Sequence, residues 1–185
     1  LRSFTFSDGL TSIGAGAFQG CASLESVALP ESVTALDSSV FKNCTSLRSV
    51  TFSDGLTSIG SGAFQGCTSL ESVVLPDSVT ALDQTVFEDC TALKTVHIGT
   101  GITELPADCF HNCSNLETIT GGENIVKIGQ YCFRYCQKYT GNDFLMNLNY
   151  MGEYALQGCK MVKRFRLPKR FVNNPSNFAN MSSLE

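Results

Sequence analysis

The residues that could do chemistry in this chain are its nine cysteines and two histidines. Cys109, His111 and Cys113 stand at alternate positions, and thiolate and imidazole are groups that bind zinc. Their spacing matches no closed zinc site, because we expect Cys109 and Cys113 to point inward and His111 to point outward. The abundant serines recur at equivalent positions, which indicates a polar surface rather than a nucleophile paired with a base. The sequence therefore predicts no enzyme, no metal site and no cofactor.

Most of the cysteines belong to a repeat. Seven of them recur at a step of 23 residues, at Cys21, Cys44, Cys67, Cys90, Cys113, Cys136 and Cys159. In the first five repeats a phenylalanine precedes the cysteine by three residues and a leucine follows it by three. A fixed step of this size is typical of a solenoid, in which equivalent residues of stacked coils lie about 4.8 Å apart. We therefore predict an inward ladder of buried thiols, and two further buried thiols at Cys109 and Cys132 in preference to a disulfide.

The pattern inside one repeat predicts its local structure. Leu24, Val27 and Leu29 should point inward from a short strand, which a turn at Glu31-Ser32 ends. Two more inward positions follow, and then a short helical turn that carries the phenylalanine and closes at a residue such as Gly20, which tolerates the left-handed conformation. Each repeat points about seven apolar side chains inward, and only the next coil can cover them.

The chain is predicted to be one leucine-rich-repeat domain over residues 1–185, with regular repeats at 1–136 and divergent repeats at 137–185. Residues 1–46 and 47–92 agree at 36 of 46 positions, so a unit of two repeats was duplicated. The sequence starts and stops within a repeat, and we interpret it as a fragment of a longer protein with about eight coils. Uncapped coil ends are apolar, which predicts end-to-end self-association.

The residues from Leu24 to Leu47 follow the pattern L-x-x-V-x-L-P-x-S-V-T-x-L-x-x-x-V-F-x-x-C-x-x-L. This pattern resembles the BspA-like, or treponemal-type, leucine-rich repeats. The resemblance implies an α/β leucine-rich-repeat solenoid, right-handed and curved, with a short parallel strand and a short helical turn in each repeat. It also implies an extracellular or cell-surface protein of the adhesin type, which binds proteins of a host or of a neighbouring cell.

Binding is predicted on the concave strand face, through side chains that point away from the core. The candidates are Ser49, Thr51, Ser72, Val74, Thr95, His97, Thr118 and Thr120, with Arg164 and Arg166 near the end of the chain. An acidic residue also opens several turns after the strands, as at Asp54 and Asp77. These acids are explained either by hydrogen bonds to nearby backbone amides or by a basic partner.

Charge is spread unevenly along the chain. Residues 1–125 carry four basic and fourteen acidic side chains, whereas residues 126–185 carry nine basic and three acidic ones. A basic patch is formed by Lys160, Lys163, Arg164, Arg166, Lys169 and Arg170. It is explained by a solvated face, an acidic protein or a sulfated glycan, and the acidic remainder of the solenoid argues against nucleic acid.

Two functions therefore remain open. The first is a protein-recognition module at a cell surface. The second is a structural spacer arm that presents another domain, which the near-identical duplication favours because a spacer needs length rather than unique contacts. No apolar run approaches the roughly 18 residues of a membrane span.

Overall fold

The computed structural model describes residues 6–7, 9–141, 145, 147–162, 176 and 179–180. These residues form a parallel β-solenoid of about six turns with a spacing of 23 residues. The strands are short because each coil turns several times within one repeat. They are β1 Ser12–Ile13, β2 Ser26–Ala28, β3 Ala35–Leu36, β4 Ser49–Thr51, β5 Ser58–Ile59, β6 Ser72–Val74, β7 Ala81–Leu82, β8 Thr95–Ile98, β9 Glu104–Leu105, β10 Thr118–Gly121, β11 Lys127–Ile128 and β12 Tyr150–Met151.

One side of the solenoid is built from the even-numbered strands β2 to β10. Strand β2 pairs in parallel with β4, and β8 pairs with both β6 and β10. Every pair joins residues 23 positions apart, as Thr95 joins Ser72 and Thr118. The repeat length therefore fixes the register, because a shift by one residue would turn the buried valines outward.

A second ladder runs along another side of each coil. It joins β1, β3, β5 and β7 in that order, and separately joins β9, β11 and β12. Strand β12 belongs to the divergent part of the sequence, yet Tyr150 and Met151 pair in step with Lys127 and Ile128.

The third side carries the phenylalanines, and here the predicted helical turn is absent from the described residues. Phe41 donates its amide hydrogen to Ala63 O of the next coil at 2.8 Å, rather than to a carbonyl four residues earlier. Ser39 and Asn43 both adopt φ of 59°, so two left-handed residues lie one turn apart. The two left-handed residues produce consecutive tight turns, which stack on the next coil. The described residues therefore form a β-solenoid with almost no helix, rather than the predicted α/β solenoid.

The core is a strip of stacked side chains along the axis. The rings of Phe18, Phe41, Phe64, Phe87, Phe110 and Phe133 stack with centroids 5.4–5.6 Å apart. Tyr139 is buried where a repeat leucine would stand, and stacks on Phe133 at 5.0 Å. The predicted inward thiol ladder is confirmed: all nine cysteines are free, and all are buried except the half-buried Cys21.

The thiols also join neighbouring coils. Cys44 donates to Phe18 O at 3.1 Å, and each ladder cysteine from Cys67 to Cys159 does the same to the phenylalanine 26 residues before it. Among the described residues, the search for a helix that is long and apolar enough to span a membrane finds none.

Candidate functional site

The long-strand face is the outward side of β2, β4, β6, β8 and β10, and it carries the predicted binding rows. Eight of the ten candidates lie on it and are exposed: Ser49, Thr51, Ser72, Val74, Thr95, His97, Thr118 and Thr120. Arg164 and Arg166 lie outside the described residues, as do Lys163, Lys169 and Arg170 of the basic patch. Lys160 is described and exposed.

Strand pairing brings the members of each row side by side. Val74, His97 and Thr120 are consecutive partners across β6, β8 and β10. His97 Nδ1 lies 3.0 Å from Thr120 Oγ1, which orients the imidazole along the row. Val74 is 63% exposed, so the row presents an apolar side chain beside a polar ring.

The face is interrupted between β4 and β6, which no strand pairing joins. The amide of Glu71 lies 3.5 Å from Arg48 O, whereas Arg48 and Lys94 make the equivalent bonds at 2.8 and 2.9 Å. Just after the strands β2 and β6, the backbone amides of Leu29 and Leu75 donate hydrogen bonds to Thr51 O and His97 O of the next coil, both at 2.9 Å. Phe52 stands at the same position of its coil, and we attribute the separation to its phenyl ring, which packs edge-on against Phe64 at 5.7 Å.

A cavity of about 700 Å³ opens at this interruption. Val50 and Phe52 line it and are only partly buried, although the equivalent Val73 and Leu75 of the next coil are fully covered. Val74 and Pro76 complete an apolar wall. The cavity therefore exposes side chains that the repeat pattern assigns to the core.

Acidic residues form the rim of the cavity. Asp54 and Asp77 line it from the turns that follow β4 and β6, and His97 lines it from β8. Thr100 donates its amide hydrogen to Asp77 Oδ1 at 2.7 Å, and this hydrogen bond holds the pKa of Asp77 below its ordinary value. The cavity can accommodate an apolar side chain next to a basic group.

A second cluster lies on the turn side, where His111 points away from the core as predicted. Cys109 and Cys113 are buried, whereas His111 Nδ1 lies 3.1 Å from Asp108 Oδ1 and 3.3 Å from Glu88 Oε1. The side chains of Glu88, Asp108 and His111 are 19%, 26% and 21% exposed. Burial raises the pKa of Glu88 above its ordinary value, and the neighbouring Asp89 adds to this effect.

The sequence pattern compares His111 only with its sequence neighbours Cys109 and Cys113. It does not identify Glu88 and Asp108 as residues that lie beside the imidazole. The useful signal was the row at the 23-residue step, which reads Gln19, Lys42, Gln65, Glu88, His111, Arg134 and Gln157. A carboxylate directly before a histidine in such a row is brought against it by coil stacking.

Known proteins resemble this chain both in sequence and in fold. The sequence matches the BspA type leucine rich repeat region in six copies, over residues 1–116 and 57–185. A leucine rich cell surface protein from Faecalibacterium prausnitzii is 29% identical with a TM-score of 0.68, and the match covers 85% of this chain and 44% of that one. The Treponema pallidum leucine rich repeat protein is 31% identical with a TM-score of 0.59, over 80% of this chain and 81% of that one.

A leucine-rich repeat protein from Eubacterium ventriosum shares the fold at 20% identity, with a TM-score of 0.64 over 83% of this chain and 48% of that one. The chain thus spans less than half the length of the Faecalibacterium and Eubacterium proteins. No curated protein is detectably similar to it. The 23-residue coils, the stacked phenylalanines and the repeat match over the whole sequence establish that the chain belongs to the BspA-type leucine-rich repeat family.

Proposed function

We propose that this chain is a non-catalytic protein-recognition module that binds a segment of a partner protein on its long-strand face. The observation that carries the proposal is the cavity between β4 and β6, where Val50, Phe52 and Val74 offer apolar surface beside the polar rows of the long-strand face. A concave site that combines apolar walls with a few polar groups is the usual form of a binding site.

The partner segment has a definable chemistry. An apolar side chain would fill the wall of the cavity, and a lysine or arginine beside it would approach the carboxylates of Asp54 and Asp77. Exposed charge pairs contribute little affinity, so the apolar contact supplies most of the free energy of binding and the acids supply orientation. The leucine-rich repeat family itself supports a recognition role.

We place the protein at the cell surface or outside the cell. The support is membership of the BspA-type family together with the fold shared with the Faecalibacterium cell surface protein. An adhesin that contacts host or neighbouring-cell proteins fits this location.

The test uses binding of the chain to a panel of immobilised extracellular-matrix proteins and sulfated glycans at low and high salt. The informative variant is V74K, which places a charge at the cavity. V126K is its matched control, because Val126 is also exposed, at 38%, and lies beside the second ladder.

We expect protein binding that survives high salt, that V74K weakens at least about tenfold, and that V126K leaves unchanged. Equal binding by V74K and the unchanged chain would overturn the proposal. Binding only to sulfated glycans that high salt abolishes would assign the interaction to the basic residues instead. Absence of all binding would favour a spacer.

A further inference from the structure

Three metal-binding atoms meet on the turn side of the solenoid. One ligand atom from each of Glu88, Asp108 and His111 lies within 4.8 Å of the other two. Glu88 comes from one coil, whereas Asp108 and His111 come from the next. Asp108 has φ of 55°, and the equivalent residues Gly16, Ser39, Gly62 and Thr85 are also left-handed, so the backbone of every coil aims this position in the same way.

The separations are those of ligands around one small cation. Two atoms bonded to a metal at about 2.1 Å, at angles between tetrahedral and octahedral values, lie about 3.0–3.4 Å apart. His111 Nδ1 lies 3.1 Å from Asp108 Oδ1 and 3.3 Å from Glu88 Oε1. Two of the three separations therefore already match those of metal ligands, and the Glu88 and Asp108 oxygens lie within 4.8 Å of each other.

The imidazole nitrogen lies between two carboxylate oxygens. His111 Nδ1 is buried and pairs with Asp108 Oδ1 and Glu88 Oε1 when the imidazole is protonated, although neither contact has hydrogen-bond geometry. A neutral imidazole instead presents its lone pair to the same two carboxylates, and a cation bound between the three groups would remove that repulsion.

A second layer of contacts holds the carboxylate in place. Gln65 Nε2 donates to Glu88 Oε2 at 2.7 Å, which leaves Oε1 directed at His111. The neighbouring carboxylate of Asp89 has a different partner, since its Oδ1 accepts a hydrogen bond from Asn112 Nδ2 at 2.8 Å. Hydrogen bonds to the second oxygen of a ligating carboxylate are the usual means of fixing its orientation.

Aromatic side chains surround the imidazole on the side of the next coil. The rings of Tyr131 and Tyr135 lie 6.4 and 6.0 Å from that of His111. The guanidinium of Arg134 lies over both tyrosines, where it donates to Gln157 Oε1 and Tyr135 Oη. These contacts direct the positive charge of Arg134 toward the tyrosines and Gln157.

We propose that Glu88 Oε1, Asp108 Oδ1 and His111 Nδ1 bind one divalent transition-metal ion of the Zn²⁺ class. Two carboxylates and an imidazole supply three ligands, which leaves a coordination position for water or for a side chain of a partner. This site lies on a different side of the coil from the long-strand face and is independent of the function proposed above. The equivalent coil pairs nearer the start of the chain carry Lys42, Gln65 or Glu88 in place of His111, so they cannot form the same set.

The test is titration of the chain with Co²⁺ under a non-thiol, non-chelating reductant, followed by absorption spectroscopy and calorimetry. Co²⁺ distinguishes this site from the free cysteines, since thiolate ligands give an intense near-ultraviolet charge-transfer band that oxygen and nitrogen ligands do not give. The variants are H111Q, E88Q and D108N. The matched controls are H97Q and E104Q, whose parent residues lie on other sides of the coil.

We expect one equivalent of Co²⁺ without a thiolate band, affinity lowered at least about tenfold in each of the three variants, and no change in the two controls. Circular dichroism of every variant checks that it is folded, and a variant that unfolds is replaced by E88D or H111N. Binding that is retained in folded H111Q, binding with a thiolate band, or absence of binding by the unchanged chain would overturn the proposal.

Discussion

The thiol of Cys90 lies 3.2 Å from the carbonyl oxygen of Phe64 and donates a hydrogen bond to it across the boundary between two coils. The acceptor is 26 residues earlier, although the backbone ladders pair residues 23 apart. From Cys44 to Cys159, the ladder cysteine of each coil therefore bonds to the backbone of the preceding coil, which explains why a thiol recurs at this position.

Replacing Cys90 with alanine should destabilise the chain by about 1–3 kcal/mol, because the change removes buried volume and leaves Phe64 O without this donor. Urea unfolding measures the difference. Cys21→Ala is the matched control, since Cys21 is only half-buried, and its effect should be smaller. Equal losses at the two positions would contradict this account of the ladder.

Stability should fall in alkaline solution. Burial raises the pKa of the Cys44 thiol to about 11 and that of Cys159 to about 12, from an ordinary value of 9.0. Below pH 9 both the folded and the unfolded thiols are neutral, so the stabilising contribution is complete there. Above pH 9 the unfolded thiols lose their protons first, which favours unfolding by about 1.4 kcal/mol per pH unit for each thiol.

The measurement is the free energy of unfolding at pH 7.5 and at higher pH, in the unchanged chain and in Cys44→Ala. The variant should lose less stability between the two conditions, because one raised thiol pKa has been removed. A steeper loss in the variant would contradict the prediction.

Two equivalent glycines should respond differently to alanine. A Cβ at Gly60 would lie 2.7 Å from Asp37 C and 2.8 Å from Ser38 N of the preceding coil, whereas a Cβ at Gly14 would meet nothing within 4 Å. Neither residue has a positive φ, so packing alone distinguishes them. We expect Gly60→Ala to cost about 2 kcal/mol or more by forcing two coils apart, and Gly14→Ala to be nearly neutral, as measured by thermal unfolding. Similar costs at both sites would show that coil stacking does not control this position.

Replacing Phe52 with leucine should close the interruption between β4 and β6. Leu29 and Leu75 occupy the same position and bond to the next coil at 2.9 Å, so the smaller side chain should allow the amide of residue 52 to reach Val74 O. Amide hydrogen exchange measures the new bond as slower exchange at residue 52. Leu75→Phe is the reciprocal variant and should speed exchange at residue 75. Unchanged exchange in both would show that ring size does not cause the interruption.

Removing the side chain of Gln65 should weaken the proposed metal site without touching a ligand. Gln65 holds Glu88 Oε2, so Gln65→Ala frees the carboxylate to rotate and should lower Co²⁺ affinity about 10- to 100-fold. Gln19→Ala is the matched control, because Gln19 is the equivalent residue two coils earlier in the duplicated unit. If the two variants bind Co²⁺ equally, Gln65 does not position Glu88.

The buried core residues and the outward strand rows could be predicted, because the 23-residue repeat alone determines which residues stack on one another. Once Cys21 and Cys44 are recognised as equivalent, stacking decides which residues are buried, and Val27 and Leu29 point inward for the same reason. The 23-residue step also predicts that His97 and Thr120 are neighbours on the strand face, and His97 Nδ1 lies 3.0 Å from Thr120 Oγ1.

The turn side could not be predicted from single repeats. A residue such as Asn43 that tolerates a positive φ predicts the end of a helix equally well, and the second left-handed residue, Ser39, carries no such preference in its side chain. We attribute the interruption at Phe52 to ring size rather than to polarity, and a pattern of apolar positions does not reveal ring size. The contact of Glu88 with His111 follows only when residues on the turn side are compared one coil apart.

Two consecutive coil boundaries each lack one of the three backbone ladders. The boundary between β4 and β6 is unpaired on the long-strand face, and the next boundary is unpaired between β7 and β9. At both boundaries the third side is continuous, since Phe64, Phe87 and Phe110 stack at 5.6 and 5.5 Å and the amides of Phe64 and Phe87 bond to the next coil at 2.9 Å. The phenylalanine side is therefore the common seam of these coils, and the strand ladders on the other two sides can each be interrupted once without breaking the stack.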